Sequence, residues 1–475
     1  MNFDLLLSPT ALLDHFMPGE VPADLRAYEA WMDEHGRAIS AAVDRAGTPW
    51  VKQFDRFGSR IDEIQFPPEY WTMLCMGYKA GAVWRAQESL SSAYRVGYVT
   101  SFFDMGLYCP YTVSLGTAAA ISKCRARRAR AVHARLMDRT DSVWQGATWM
   151  TEARGSSDLG AAVETVAHRD GDRWLLTGDK YFCSNAGAEL AVVAARPDDA
   201  QPGVRGLALF LVPRLRVDGS LNYTVRRLKD KIATRSVPTG EIELRGSEAY
   251  LLGEPGHGIY HILEVLNLSR VANCIGSAAL MQRALADAFT FARAREIFGR
   301  KLIDQPLMRR QFERKAAALE SVFKLTWEVV RLADEVWREP APRYSERFQL
   351  FRVLLHLAKY WTAEQAVQAA KWSMEVNGGM GTLAEFGVER HLREAMIADI
   401  WEGPPHRQIL DGVEAMERKG AHRLLFDYLA PKADVTALAD MRARVEALLA
   451  LPQDEKEAAS GDLFHDLAAF AAATV

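Results

Sequence analysis

The run Arg169-Asp170-Gly171-Asp172-Arg173-Trp174-Leu175-Leu176-Thr177-Gly178-Asp179-Lys180-Tyr181-Phe182-Cys183 decides what kind of fold this chain has. Asp170-Gly171 and Gly178-Asp179 are turn dipeptides, and the residues after each are aromatic or aliphatic. That texture predicts two tight turns, the second joining a strand over 174–177 to another over 180–183. Further strands are expected over 191–195, 207–212 and 241–244. Together they predict a β domain over residues 144–254.

On both sides of it the pattern is helical. Residues 1–143 form the expected N-terminal helical domain, with Leu25, Tyr28, Trp31 and Met32 spaced for one helix face. Asp55-Arg56-Phe57-Gly58-Ser59-Arg60 interrupts it as a turn, and Cys109-Pro110 marks another expected break. In residues 255–418 Phe312, Ala316, Leu319, Phe323 and Val330 recur at the spacing of a core-facing helical stripe, which must stop by Pro340 and Pro342. A second long helix over 346–376 should end at Asn377-Gly378-Gly379, and long antiparallel helices imply a bundle. Residues 419–475 are expected as one or two peripheral helices. From Glu417 onward the chain has seven Lys or Arg against ten Asp or Glu, so it has no basic tail.

At 475 residues the chain is long enough for two or three domains. Its 49% hydrophobic and 25% charged residues are the balance of a globular protein, and its net charge of −3 argues against general affinity for nucleic acid. The exception is residues 123–139, where Lys123, Arg125, Arg127, Arg128, Arg130, Arg135 and Arg139 face one acid, Asp138. A solvated or salt-bridged surface helix is the favoured reading of that cluster over a phosphate-binding one. The five cysteines are scattered with no C-x-x-C pair, so neither disulfides nor a metal site is expected. No stretch approaches the roughly 18 apolar residues of a membrane span, and a cytoplasmic setting is the expectation.

One stretch carries chemistry. Asp399-Ile400-Trp401-Glu402-Gly403-Pro404-Pro405 follows an expected helix over 388–398 and places a carboxylate between an aromatic and a helix-breaking turn. Partly desolvated there, Glu402 would have a raised pKa and suit a general base near neutral pH.

Helical, then β, then helical, with Met150-Thr151-Glu152-Ala153-Arg154-Gly155-Ser156-Ser157-Asp158 opening the β domain, resembles the acyl-CoA dehydrogenase flavoprotein family. Its other motifs are matched in order by Phe182-Cys183-Ser184-Asn185, Arg295-Glu296-Ile297-Phe298-Gly299 with Gln305, Gly378-Gly379, and Trp401-Glu402-Gly403-Pro404. The adaptive-response, AidB-like branch is suggested by Cys109-Pro110, by Leu228-Lys229-Asp230-Lys231 with Arg235-Ser236, and by Gln305-Pro306-Leu307-Met308-Arg309. The fold implied is α+β: an N-terminal helical domain, a middle β-barrel or sandwich, and a C-terminal four-helix bundle with a short helical tail.

The resemblance implies FAD, an acyl-CoA substrate, an electron-transfer flavoprotein as acceptor, and a homo-oligomer, tetrameric as a dimer of dimers. Glu402 would take the α proton while the flavin accepts the β hydride. Met150, Thr151, Ser157, Phe182 and Ser184 would contact FAD. Arg295, Phe298, Gln305, Glu375, Gly378 and Gly379 would complete its site from a neighbouring subunit, with Arg295 on the pyrophosphate; a surface salt bridge of Arg295 with Glu296 or Asp304 is the alternative. Pro404 and His406 stand where the family often has a threonine and a glutamine that touch the cofactor. Gly403 and Arg270 fall on the substrate side. Arg270 either orients Glu402, steadies acyl-CoA phosphates, or pairs with Glu264 or Asp399. Some relatives put the base immediately before this arginine, where this chain has Ser269, which cannot serve. Two other readings stay open: an alkylation-response flavoprotein with weak dehydrogenase activity and nucleic-acid binding, or an oxygen-using flavin oxidase or monooxygenase.

Overall fold

The computed structural model describes residues 2–123, 127–140, 142–155, 157–254, 256–342 and 344–475, and of residues 127–130 the backbone alone. The chain divides into two compact units, Ala30–Ser269 and Met1–Glu29 with Arg270–Val475.

In the first unit, β1 (Trp50–Phe54) and β2 (Arg60–Gln65) form an antiparallel hairpin around the Asp55 turn, which the helical reading of this region had left out. The turn is closed by Asp55 Oδ1, which accepts from the N–H of Phe57 and of Ser59. Helices Leu90–Phe103 and Met105–Ser122 follow. Their break lies at Asp104 and not at Cys109-Pro110, because the Asp104 carboxylate caps the second helix through the Leu107 N–H at 2.8 Å. Pro110 sits inside that helix. Its lost hydrogen bond is outweighed by packing, with Leu107, Tyr108 and Tyr111 all buried.

Seven described strands build the β domain: β3 (Gly146–Trp149), β4 (Val166–Asp170), β5 (Arg173–Ser184), β6 (Leu190–Pro197), β7 (Ala208–Pro213), β8 (Thr224–Leu228) and β9 (Thr239–Leu252). The path β6-β4-β5-β9-β7 closes on itself through β6–β7 pairing, with β3 on β6 and β8 on β9, so the sheet is a barrel. β6 shows why both of its faces are apolar. Ala191, Val193 and Ala195 point into the core with Trp149, Phe210 and Ile242, while Leu190, Val192 and Ala194 pack with Ala118, Ile121 and Val265.

Of the two turns expected around 169–183, one forms. Gly171 (φ +61) and Asp172 join β4 to β5 as a two-residue hairpin. Gly178-Asp179 does not turn: β5 runs straight through it, paired with β9 along both halves. Gly178 is there for closeness and for its φ of +156: a Cβ on it would lie 2.5 Å from Thr165 Oγ1 and 2.7 Å from Thr165 Cα. In the basic stretch, Arg125 and the side chains of Arg127, Arg128 and Arg130 lie outside the described residues. The described members are engaged: Lys123 pairs with Glu264 at 2.8 Å, and Arg135 and Arg139 lie over the rings of Trp144 and Trp84.

The second unit is helical, built on Gly258–Ala294 from Arg270 onward, Pro306–Val336 and Glu346–Asn377, with Val388–Ile400 and Pro405–Lys419 behind them. The Phe312 to Val330 stripe is fully buried. β10 (Glu296–Ile297) and β11 (Arg300–Lys301) form a short hairpin between the first two helices. The first residues of the chain belong here: Gln282 Nε2 donates to the carbonyls of Leu5, Leu6 and Ser8, and Phe3 meets Phe289 edge-on at 5.6 Å. The last segment is not peripheral. It forms three helices, Ala421–Leu429, Val435–Leu449 and Gln453–Thr474, and the third buries Phe464, Leu467, Ala468 and Ala471 against the bundle. Phe464 lies so close to Gly412 that a Cβ there would sit 2.5 Å from its ring.

Candidate active site

The Val388–Ile400 helix ends at Trp401, whose N–H still bonds Ile397 O at 2.8 Å. Glu402 (φ +59) and Gly403 (φ +101) then turn the chain through the left-handed region before Pro404 and Pro405 open the next helix. Glycine adopts that conformation freely, but a glutamate costs about 1–2 kcal/mol there and stays only where its surroundings hold it. Three side chains do so. Arg270 Nε and Gln408 Nε2 converge on Glu402 O at 3.1 and 2.9 Å, Gln408 also reaches Gly403 O at 3.0 Å, and Lys359 Nζ donates to Asp399 O at 2.6 Å and Gly403 O at 2.9 Å.

The carboxylate held by this turn is unusual. Glu402 Oε2 is sealed from solvent and has no hydrogen-bond partner among the described residues. Burial pushes the Glu402 pKa up to about 7, against the pull of the Arg270 and Lys359 charges. Arg270 is itself paired with Asp411 at 3.2 Å. Arg407 also pairs with Asp411, and these cations hold that carboxyl below its ordinary range despite burial. Burial likewise lowers Lys359 to about 8 and His356 to about 3, so His356 is neutral and hydrogen-bonds Gln408 through Nδ1 at 2.9 Å. The result is a carboxylate poised to gain or lose a proton near neutrality.

The remaining expected residues of this unit fall into two groups. Arg295, Phe298 and Gln305 share the β10–β11 hairpin, where Gln305 Nε2 braces Ile297 O at 3.0 Å. Arg295 is exposed, and Glu296 pairs with Lys301 at 2.7 Å instead of with it. Phe298 is 95% exposed at the tip. Glu375, Gly378 and Gly379 end the Glu346–Asn377 helix, with Glu375 paired to Lys371 and open space where either glycine would carry a Cβ. His406 is exposed, and Pro404 offers neither N–H nor hydroxyl.

In the β unit, Tyr181 N–H donates to Thr151 O at 2.9 Å and Trp149 Nε1 to Ser184 O at 3.1 Å, which brings Met150, Thr151, Phe182 and Ser184 together. Met150 is buried, while Phe182 adopts φ +55 and leaves 58% of its surface exposed. Ser157 is exposed. An exposed aromatic held in a strained conformation, beside hydroxyls on the barrel, fits a flat ring system, and the open Gly378-Gly379 backbone and Arg295, which has no ion-pair partner among the described residues, fit a diphosphate.

Three family models cover most of the chain: the adaptive response protein AidB N-terminal domain over residues 3–142, and the acyl-CoA dehydrogenase middle and C-terminal domains over 147–247 and 256–417. This chain belongs to the acyl-CoA dehydrogenase family. The family consists of FAD-dependent oxidoreductases. Relatives include Caenorhabditis elegans acyl-CoA dehydrogenase family member 11, 26% identical over 82% of this chain and 66% of that protein. AidB of Escherichia coli K12 is 29% identical over 79% of this chain and 71% of that protein. The crystal structure of C. elegans ACDH-11 in complex with C11-CoA superposes with a TM-score of 0.86 at 23% identity, covering 98% of this chain and 85% of that one.

Against the acyl-CoA dehydrogenase motifs, sequence reasoning found Glu402 and Arg270 but missed Lys359, Gln408, Asp411 and His356. A signal existed for two of them. His356, Lys359 and Thr362 recur every third residue among the buried Leu354, Leu355, Leu357, Ala358 and Ala363 of one helix, and polar groups inside an apolar stripe need partners. The AidB-type stretch Leu228–Lys231 with Arg235 lines, together with Thr48 to Val51, a cavity of about 390 Å³ in the β unit.

Proposed function

We propose that this protein is an FAD-dependent acyl-CoA dehydrogenase in which Glu402 removes the α proton of an acyl thioester. The observation that carries the reading is the sealed, unpartnered Glu402 Oε2 with a pKa of about 7. A base with that pKa is half ionised at neutral pH and strong enough to assist removal of a weakly acidic proton. The backbone N–H of Glu402 donates to no acceptor among the described residues, so it is free to meet the thioester oxygen and stabilise the enolate-like charge. Bound FAD supplies the acceptor for the β hydride, and loss of the proton and the hydride leaves the α,β-unsaturated thioester. Phe182, Thr151 and Ser184 would hold the ring, and Arg295, Gln305 and Gly378-Gly379 the diphosphate of a second subunit's cofactor.

A homotetramer and an electron-transfer flavoprotein as electron acceptor belong to the same proposal, as does a cytoplasmic setting. The exposed Phe298, Leu307, Met380, Leu383 and Phe386 support an assembly that covers them. The complex of the nematode relative with C11-CoA supports a thioester ligand and a medium-length chain as the first to try. The test is anaerobic titration of the flavin-bearing protein with short, branched, medium, long and aromatic acyl-CoAs, beside Glu402→Gln. Bleaching by one class, slowed about 10²–10⁴-fold in the variant, is expected. An intact flavin that no thioester bleaches would refute the proposal.

A further inference from the structure

We propose that Lys359 is the positioning residue of this site, clamping the turn that presents Glu402 and supplying the charge against which that carboxylate ionises. The inference rests on the reading of Glu402 as the base and concerns a residue two helices away in sequence.

Its geometry is specific. The ammonium donates to Asp399 O and Gly403 O, which bracket Trp401 and the left-handed Glu402, so one side chain closes the turn from both ends. On the same turn Gln408 reaches Glu402 O and Gly403 O, and Arg270 reaches Glu402 O. Lys359 is fully buried and has no carboxylate within ion-pair distance among the described residues. Both of its described acceptors are neutral carbonyls, which satisfy its N–H groups without cancelling its charge.

The charges around Glu402 can be assigned element by element. The Gly258–Ala294 helix offers Arg270, largely offset by Asp411 on Pro405–Lys419, which also carries Arg407. The Glu346–Asn377 helix offers Lys359, with Arg352 and the neutral His356 further along it. The Val388–Ile400 helix contributes Asp399, whose Oδ1 is buried without a partner and whose pKa is raised by burial. Lys359 is therefore a cation near Glu402 with no salt bridge among the described residues; it acts there beside Arg270, the stronger pull on that carboxyl, and it also faces Asp399 and the buried Cys274 thiol. A buried lysine in an apolar helix stripe is costly to keep for packing alone.

Lys359→Met keeps the length and apolar volume of the stem but removes the donors and the charge. The Glu402 carboxyl is followed by its protonated C=O infrared band, identified by its absence in Glu402→Gln, as pH is varied on the flavin-bearing protein. The band should titrate about one unit higher in Lys359→Met than in the parent, and at the parental pH in Lys359→Arg. Thioester-driven bleaching at pH 7 should fall about fivefold in Lys359→Met and recover as the pH is raised, because more base then ionises. An unchanged band, or an equal shift in Lys359→Arg, would overturn the charge role. A fall in bleaching that raising the pH does not relieve would reduce Lys359 to a fold residue. Because the infrared titration needs no substrate, it decides the inference even if no thioester bleaches the flavin.

Discussion

Each of the two units buries a glutamate beside a lysine, and the two carboxylates behave oppositely. Glu152 in the β unit accepts from Lys180 Nζ at 2.6 Å, Thr165 Oγ1 at 2.6 Å, Thr165 N–H at 3.1 Å and Glu164 N–H at 2.8 Å. Burial pushes its pKa up, but Lys180 and the other donors outweigh that and hold it below the usual range. Burial also pulls Lys180 below its ordinary value, but the four bonds to the carboxylate keep the pair charged. Glu402 has two cations nearby, yet their described N–H bonds go to main-chain carbonyls and to Asp411, and burial raises its pKa. Proximity of charge is thus not what separates a structural carboxylate from a basic one. What separates them is whether the donors point at the carboxylate oxygens or past them.

The comparison breaks hardest at Lys180. Lys180→Met leaves Glu152 buried with its charge unpaired, and should destabilise the protein by about 3–5 kcal/mol, visible as a drop in thermal midpoint with flavin content of the folded fraction unchanged. If the midpoint barely moves, the pair is not charged.

The pH dependence sharpens the same contrast because the signs are opposite. Glu402 has a folded pKa above its unfolded value, so its contribution is fully present below about pH 4.5 and lost as pH rises through about 7. The stability gap between parent and Glu402→Gln should therefore fall by about 3 kcal/mol over that window. Glu152 is depressed, so the gap between parent and Glu152→Gln should instead open as pH rises through the carboxylate range and close as it falls. Thermal midpoints measured across pH for both pairs check this.

Much of the site was legible because its chemistry lies in one short stretch: Glu402 sits between a helix end and a Pro-Pro pair that can only be a turn. The clamp around it was not legible, since Lys359 is 43 positions away and its role depends on which face of a helix meets which carbonyl. The fold followed the same division. The Gly171-Asp172 hairpin is local chemistry and forms as expected. Gly178 looked identical in sequence, but its meaning is set by Thr165 across the sheet. Gly178→Ala should cost about 1–3 kcal/mol through that clash, with backbone strain at φ +156 added to it. Partial relief by the second substitution Thr165→Gly, which removes the Oγ1 and Cβ contacts, would confirm the steric share, and Thr165→Ser, which keeps those atoms, should give none.

The smallest expected effect is on stability at Phe298, and its smallness is informative. Phe298 (φ +49) and Gly299 (φ +77) are the two central residues of the β10–β11 turn, a geometry that suits Asn-Gly far better than Phe-Gly. With its ring 95% exposed, phenylalanine gains nothing there within its own chain. Phe298→Asn should therefore change the stability of the isolated chain by no more than about 0.5 kcal/mol. If the ring instead meets a second copy or that copy's cofactor, the same variant should lose assembly mass in native mass spectrometry and retain less flavin. A loss of chain stability with assembly intact would return Phe298 to the fold, and with it the argument that an aromatic in a turn built for asparagine is kept for what it touches outside the chain.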